Sequence, residues 1–123
     1  MERVFTEKAP AAVGPYSQAI ISGNFVFASG QLGIDKNGVM GDGIAEQTEN
    51  AVKNLSEVLT AAGSGLDRVV KTTCFLADIK DFAAFNEVYG KYFTEKPARS
   101  LIQAAALPKG SLIEMEVIAE IRR

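Results

Sequence analysis

The side chains of this 123-residue chain that could do acid, base or nucleophilic chemistry do not include histidine. Without histidine the chain cannot build Ser-His-Asp or Cys-His nucleophile pairs, and it lacks the usual proton shuttle near neutral pH. The single cysteine, Cys74, excludes an intrachain disulfide and a thiolate zinc cluster. With no histidine to activate it, Cys74 is predicted to be a small buried hydrophobe. Any catalysis must therefore use carboxylates, Arg, Lys, Tyr, hydroxyls, backbone groups and water.

Two charged residues interrupt apolar strand-like segments. Arg99 lies in Pro97-Ala98-Arg99-Ser100-Leu101, where its guanidinium needs an anionic partner or a cavity. It could bind a carboxylate ligand, or it could form an internal salt bridge with Glu114 or Glu116. Glu114 lies between Ile113 and Met115, where burial could raise its pKa enough for it to hold or deprotonate a water. A solvated strand face is the alternative for Glu114, and spacing alone does not decide between these interpretations.

Weaker signals come from polar residues at turns and on a predicted helix. Tyr16 and Ser29 lie near turns or strand ends, where side chains can face a pocket. Asn86 interrupts an apolar helical stripe and needs a partner, either neighbouring backbone or a ligand. The glycines between positions 30 and 43 lack the spacing and the Lys-Ser/Thr pair of a phosphate loop, so a nucleotide site is not supported.

Composition places further bounds on function. The length predicts one domain over residues 1–123, and 47% apolar and 23% charged residues are typical of a folded globular chain. The 13 basic and 15 acidic residues give a net charge of -2, which disfavours nucleic-acid binding. No window reaches the roughly 18 apolar residues of a membrane span, and the cysteine content fits a reducing compartment, so a cytoplasmic location is expected.

The pattern of apolar residues predicts a two-layer α+β domain. Short strands are expected at Val4–Phe5, Ser17–Ile21 and Phe25–Ala28. A helix should begin at Asp42-Gly43 and stop at Gly63, because its apolar residues recur at three and four positions.

The second half of the chain predicts a strand over Arg68–Ala77, followed by a helix cap at either Asp78 or Asp81. An aromatic-rich helix containing Phe82, Phe85, Tyr89, Tyr92 and Phe93 should come next, with Pro97 ending whatever remains of it. Strands are then predicted over Ala98–Leu107 and Leu112–Ile121, separated by a turn at Pro108-Lys109-Gly110.

The predicted sheet has two helices on one side and leaves its other face uncovered. In the last strand Ile113, Met115 and Val117 share one face. Glu114, Leu101 and Ile118 are expected on the opposite face, where a partner subunit could cover them. An antiparallel sheet with one wet face is the alternative.

Several short motifs together resemble the reactive-intermediate deaminase (RidA/YjgF) family over essentially the whole chain. The motifs are Gly14-Pro15-Tyr16, Ser29-Gly30-Gln31, Lys71-Thr72-Thr73, Pro97-Ala98-Arg99-Ser100 and Ile113-Glu114-Met115. The resemblance implies a chorismate-mutase-like α+β fold with a mixed sheet, and a homotrimer with three ligand clefts between subunits. It also implies hydrolysis of 2-iminobutanoate and 2-iminopropanoate, or their enamine tautomers, to 2-keto acids and ammonia, without a cofactor or a metal.

The same resemblance implies roles for individual residues. Arg99 would clamp the substrate carboxylate, and Glu114 would position the attacking water. Tyr16 and Ser29 would contact the substrate or that water across the subunit boundary. The remaining implied positions are Gly30 and the backbone of Leu101, which would line the cleft, and Asn86, which would support it.

One position departs from the family pattern. Many members have Cys where this chain has Leu101, which removes the Arg-x-Cys pattern and should change the size and polarity of the pocket. Two other functions compete with the deaminase: a non-catalytic protein that binds 2-keto acids or other small carboxylates, and an endoribonuclease or translation inhibitor. The latter is disfavoured because no basic stripe interleaved with aromatic residues is visible.

Overall fold

A computed structural model describes residues 1–122 and contains six β-strands and two α-helices. The strands are β1 (Glu2–Val4), β2 (Ala19–Ser22), β3 (Phe25–Leu32), β4 (Val69–Leu76), β5 (Ala98–Gln103) and β6 (Ile113–Glu120). The helices are α1 (Gly43–Ala61) and α2 (Phe82–Tyr92). Among residues 1–122, neither helix is long and apolar enough to cross a bilayer.

The strands form one mixed sheet in the order β1-β2-β3-β6-β4-β5. The pairs are antiparallel except for β4 and β5, which are parallel and are connected through α2. Strand β5 is therefore an edge strand. This arrangement confirms the predicted α+β fold with a mixed sheet and two helices.

Both helices lie on the same face of the sheet. The apolar residues of α1 that recur at three and four positions, including Ala51, Leu55 and Val58, are fully buried. Helix α1 packs on β3 and β6, and α2 packs against α1. The alternation predicted for β6 is also present, because Ile113 and Met115 are completely buried while Glu114 between them is half-buried.

The opposite face, called the open face here, carries no helix. Residues directly opposite each other in a sheet point to the same side, so the register places Phe27 and Ile118 together on this face, as it does Phe75 and Glu114. The expectation that Leu101 shares this face is wrong. Leu101 lies opposite Cys74, which is buried under the helices, and its side chain packs against the core.

The element boundaries differ from prediction where tertiary pairing decides them. Helix α1 ends close to the predicted stop, and Gly63 follows it with a φ of +82° that favours glycine. Strand β5 is shorter than predicted because its partner β4 ends at Leu76, whose carbonyl accepts the last pairing hydrogen bond from Ala104. Helix α2 ends at Tyr92, well before Pro97, and the Pro108–Gly110 turn is a short 3-10 segment.

Candidate active site

Arg99 is held against α2. Its Nη1 donates a hydrogen bond to Oδ1 of Asn86 at 2.7 Å. Its Cζ lies 4.8 Å from the ring centroid of Tyr89 and 5.8 Å from that of Phe82, distances at which a cation is attracted to an aromatic face. A guanidinium has five N–H donors in a planar fork, so the bond to Asn86 leaves donors for a carboxylate ligand.

The Tyr89 ring is itself anchored in the core. Its hydroxyl shares a 2.8 Å hydrogen bond with Oγ1 of Thr72, which is fully buried on β4. Burial raises the pKa of Tyr89, so the phenol stays neutral. The ring that lies against Arg99 therefore has a fixed position, and the guanidinium is oriented before any ligand arrives.

Cys74 lies beneath this arrangement and is fully buried, as predicted. Its Sγ donates weakly to Thr72 Oγ1 at 3.9 Å. Burial raises the pKa of the thiol to about 11, so the nucleophilic thiolate is scarce near neutral pH. A thiol mechanism at Cys74 is therefore inconsistent with its surroundings.

Four other predicted site residues line a single cavity of about 770 Å³: Tyr16, Ser29, Gly30 and Glu114. Tyr16 is 53% exposed, so most of its ring is available to a ligand or to another subunit. The Ser29 hydroxyl donates to the Ser17 carbonyl at 2.6 Å, which leaves its oxygen free to accept. This volume falls within the range that small-molecule sites occupy.

Gly30 and Glu114 fit together closely across β3 and β6. A Cβ on Gly30 would lie 2.9 Å from Cδ and 3.0 Å from Cγ of Glu114, and closer still to Oε2. The register of β3 on β6 shifts between Ala28 and Gln31, next to Gly30. The Glu114 carboxylate therefore lies where only glycine leaves room for it.

The pKa of Glu114 is raised by its surroundings. Partial burial is the larger cause, and repulsion from the negative charge of Glu116 adds to it. A carboxyl whose pKa is closer to neutrality exchanges protons with water more readily than an ordinary glutamate.

Arg99 and Glu114 point to opposite faces of the sheet. Arg99 lies opposite Thr72, which is buried on the helix side, whereas Glu114 lies opposite Phe75 on the open face. Of the two interpretations that the sequence left open for Arg99, the internal salt bridge to Glu114 or Glu116 is therefore absent from the described part of the chain. Within one chain the predicted site residues therefore form two groups, one around Arg99 on the helix side and one around Glu114 on the open face, and the two groups do not share a cavity.

The helix-side group contains residues that sequence analysis did not identify. The sequence left backbone and a ligand open as partners of Asn86, whereas its side-chain oxygen accepts a hydrogen bond from Arg99. Phe82 and Tyr89 contact Arg99, and Thr72 fixes Tyr89. The spacing of Phe82, Asn86 and Tyr89 on one helical stripe was the available signal. Among residues 1–122, no cluster of three His, Cys, Asp or Glu side chains could hold a metal ion.

Comparison with known proteins identifies the family. Residues 6–121 match the family model described as endoribonuclease L-PSP. A human protein named 2-iminobutanoate/2-iminopropanoate deaminase is 49% identical over 119 residues, which cover 94% of this chain and 87% of the human one. The chain belongs to the RidA/YjgF family.

Other RidA/YjgF relatives share the fold and differ in name. The crystal structure of RidA from an Antarctic Psychrobacter species superposes with a TM-score of 0.95 at 45% identity, covering 98% of this chain and all 100% of the other. A Lactococcus lactis protein named putative regulator AldR is 49% identical over 125 residues, 99% of both chains. Names within the RidA/YjgF family therefore cover both deaminases and regulators.

Proposed function

We propose that this protein is a hydrolytic deaminase for short 2-imino acids, with its site shared between two subunits of a homotrimer. The observation that carries the proposal is the division of the site across the sheet. An arginine with free donors lies on one face, and a carboxyl of raised pKa lies in a cavity on the other. A second copy of the chain would bring the Glu114 side of one subunit to the Arg99 side of its neighbour.

The open face supports such an assembly. Phe25 and Phe27 are 39% and 45% exposed there, and Ile102 on β5 is 53% exposed. Exposed aromatic and branched side chains on one face of a sheet are typical of a surface that another subunit covers. Ile102 and Arg99 lie on the same edge strand but on opposite faces of it, so a partner that covers the β5 edge would contact Ile102 and approach Arg99.

In the proposed reaction Arg99 binds the substrate carboxylate through two parallel hydrogen bonds, for which its planar fork is suited. Because Asn86 and Tyr89 already orient the guanidinium, little orientational freedom is lost on binding. This clamp holds C2 of the imino acid at a fixed distance from the water on the other side of the cleft.

Glu114 positions that water. The water oxygen forms a bond to C2 of the protonated imine while one of its protons passes to the Glu114 carboxylate. The proton then goes to the amino nitrogen of the carbinolamine, and the C2–N bond breaks to release ammonia as the C2 carbonyl forms. The Glu114 carboxylate accepts the hydroxyl proton in this step and passes it to the departing ammonia, which leaves as ammonium. Ser29 and Tyr16 contribute a hydroxyl acceptor and a hydroxyl donor at the rim of the same cavity. This sequence of steps uses no cofactor and no metal.

Leu101 follows Arg99 at the next residue on the same face of β5. Its side chain packs against the core while its backbone lies at the sheet edge. A backbone contact to the substrate would therefore survive the absence of the Cys that many relatives have.

Imine clearance tests the activity. A threonine dehydratase generates 2-iminobutanoate in the presence of semicarbazide, and the competition between semicarbazone and keto acid is measured. We expect the wild-type protein to lower trapping and Arg99→Ala to lose the effect, with Arg3→Ala on the exposed part of β1 as the control. Binding of 2-oxobutanoate without any effect on trapping would instead identify a small-carboxylate binding protein.

Complementation tests the shared site. Arg99→Ala and Glu114→Gln are coexpressed with different tags, and mixed assemblies are isolated through both tags. In a ring of three that contains both variants, one of the three sites regains both groups, so about a third of wild-type activity should return. A site within one chain predicts none, and light scattering reports whether the assembly has three subunits.

A further inference from the structure

A second cation lies beside Arg99. Lys96 and Arg99 line the same cavity of about 380 Å³, whose other walls include the rings of Tyr89 and Phe93. None of the residues lining this cavity is acidic. Two positive charges that face one cavity without a carboxylate between them attract an anion of higher charge more strongly than a singly charged one.

The backbone holds Lys96 in this position. Its φ of +52° is left-handed, which is uncommon for a residue other than glycine. Its N–H donates to the Phe93 carbonyl at 3.1 Å and closes the turn that leads from α2 into β5. Pro97 follows at once and restricts the next backbone dihedral. The turn therefore fixes where the Lys96 stem starts, while the stem itself stays flexible.

The spacing suits two anionic groups on one small molecule. Lys96 and Arg99 are three residues apart, so their Cα atoms are at most about 10 Å apart. Both side chains are long enough to converge across that interval. Arg99 offers a planar fork, and the Lys96 ammonium is a compact charge that adapts to the position of its partner.

Lys96 has no competing ion pair in the described part of the chain. Within residues 1–122 the ion pairs join Lys53 to Glu49 and Arg122 to Asp67, and neither pair involves this cavity. Lys91 is exposed on α2 and does not line the cavity. It therefore provides a control lysine that is close to Lys96 in sequence but does not face the cavity.

We infer that Lys96 is a specificity residue that lets the site accept 2-imino acids with a second carboxylate on the side chain. The inference rests on the proposed deaminase function and extends its substrate class. Arg99 takes the carboxylate next to the imine carbon, and Lys96 pairs with the distal carboxylate. The chemistry at C2 is the same hydrolysis, with water added and ammonia released.

Paired substrates test this inference. 2-Iminoglutarate is produced from glutamate by an L-glutamate oxidase, and 2-iminobutanoate is produced as above, both in competition with semicarbazide. The quantity compared is the ratio of kcat/KM for the two imines in wild type, Lys96→Gln, Lys96→Arg and the control Lys91→Gln. We expect Lys96→Gln to lower the ratio about tenfold, Lys96→Arg to retain most of it, and Lys91→Gln to leave it unchanged.

The outcomes separate this inference from the deaminase proposal. If wild type hydrolyses 2-iminobutanoate and the ratio does not change in Lys96→Gln, the inference is overturned and the deaminase stands. If wild type hydrolyses neither imine, the deaminase proposal fails, and calorimetric binding of 2-oxoglutarate against 2-oxobutanoate decides the role of Lys96. A tenfold loss of that binding preference in Lys96→Gln supports the anion subsite, and an unchanged preference overturns it.

Discussion

Replacing Gly30 with alanine tests whether the position of the Glu114 carboxylate matters. The new Cβ would lie 2.9 Å from Glu114 Cδ and nearer to Oε2, whereas non-bonded carbon atoms prefer about 3.5 to 4.0 Å. The carboxylate must therefore move by about 1 Å. A displacement of that size in a positioned catalytic group costs on the order of 100-fold in rate, which corresponds to about 2.7 kcal/mol of transition-state stabilisation.

The assay is imine clearance under single-substrate conditions, with kcat and KM determined separately. We expect kcat to fall about 100-fold in Gly30→Ala while KM changes little, because in the proposed site the carboxylate is bound by Arg99 of the other subunit. The fold should survive, because overpacking by one methyl costs about 1 to 3 kcal/mol and the thermal midpoint by circular dichroism reports that loss.

A double-mutant cycle distinguishes this effect from general damage. In a Glu114→Gln background the substitution Gly30→Ala should lower kcat less than twofold further, since the carboxylate it displaces is already absent. The reasoning is refuted if Gly30→Ala retains wild-type kcat, or if its effect is fully additive with that of Glu114→Gln.

Five further predictions rest on the contacts, the pKa shift of Glu114 and the net charge of the chain. Asn86→Ala should raise KM about tenfold with a smaller change in kcat, because the Arg99 guanidinium loses the bond that orients it. In steady-state kinetics, Asn86→Asp should raise KM further, since a carboxylate at this position competes with the substrate for the guanidinium. The acid limb of the kcat/KM pH profile should lie above the usual glutamate range because the pKa of Glu114 is raised, and Glu114→Gln should remove that limb. The same shift makes the ionised Glu114 carboxylate costly in the folded state. The stability contributed by the protonated carboxyl is therefore present below the pKa of the unfolded state and is lost as the pH rises through the pKa of the folded state. In urea denaturation, the free energy of unfolding of Glu114→Gln should rise relative to that of wild type as the pH rises through this window. Thr72→Val should destabilise the fold by about 1 to 3 kcal/mol because it leaves the Tyr89 hydroxyl unpaired, and adding Tyr89→Phe should recover most of that loss in thermal denaturation. RNA filter binding over a salt series should show no salt-dependent retention, given the net charge of -2; strong retention that falls with salt would contradict this.

The elements that local patterns specify were predictable from sequence. Helix α1 has a three-and-four apolar repeat from Ala51 onwards, and β6 alternates strictly between apolar and mostly acidic residues, so their faces are encoded locally. Strand β5 has no such alternation, because an edge strand exposes both of its faces in part. Its length and its face depend on the pairing with β4, which the residues of β5 do not specify.

The same limit explains the site. The types and approximate positions of Arg99 and Glu114 were visible as charges within apolar segments. Their placement on opposite faces depends on the registers of β5 and β6 against β4, which only the assembled sheet defines. The contact between Asn86 and Arg99 was likewise hidden, because it forms between a helix and the strand after it.

The two halves of the proposed site differ in the sequence separation of the segments that build them. Everything that orients Arg99 comes from the consecutive elements β4, α2 and β5, with contacts spanning 13 and 17 residues. The Glu114 cavity instead joins segments from the first third and from the end of the chain. Contacts that are short in sequence form with little loop-closure entropy and persist when distant segments separate. We therefore expect partly unfolded molecules that have released β1 to β3 to keep an oriented guanidinium after the water-binding side has gone, so that recognition of a carboxylate outlasts catalysis.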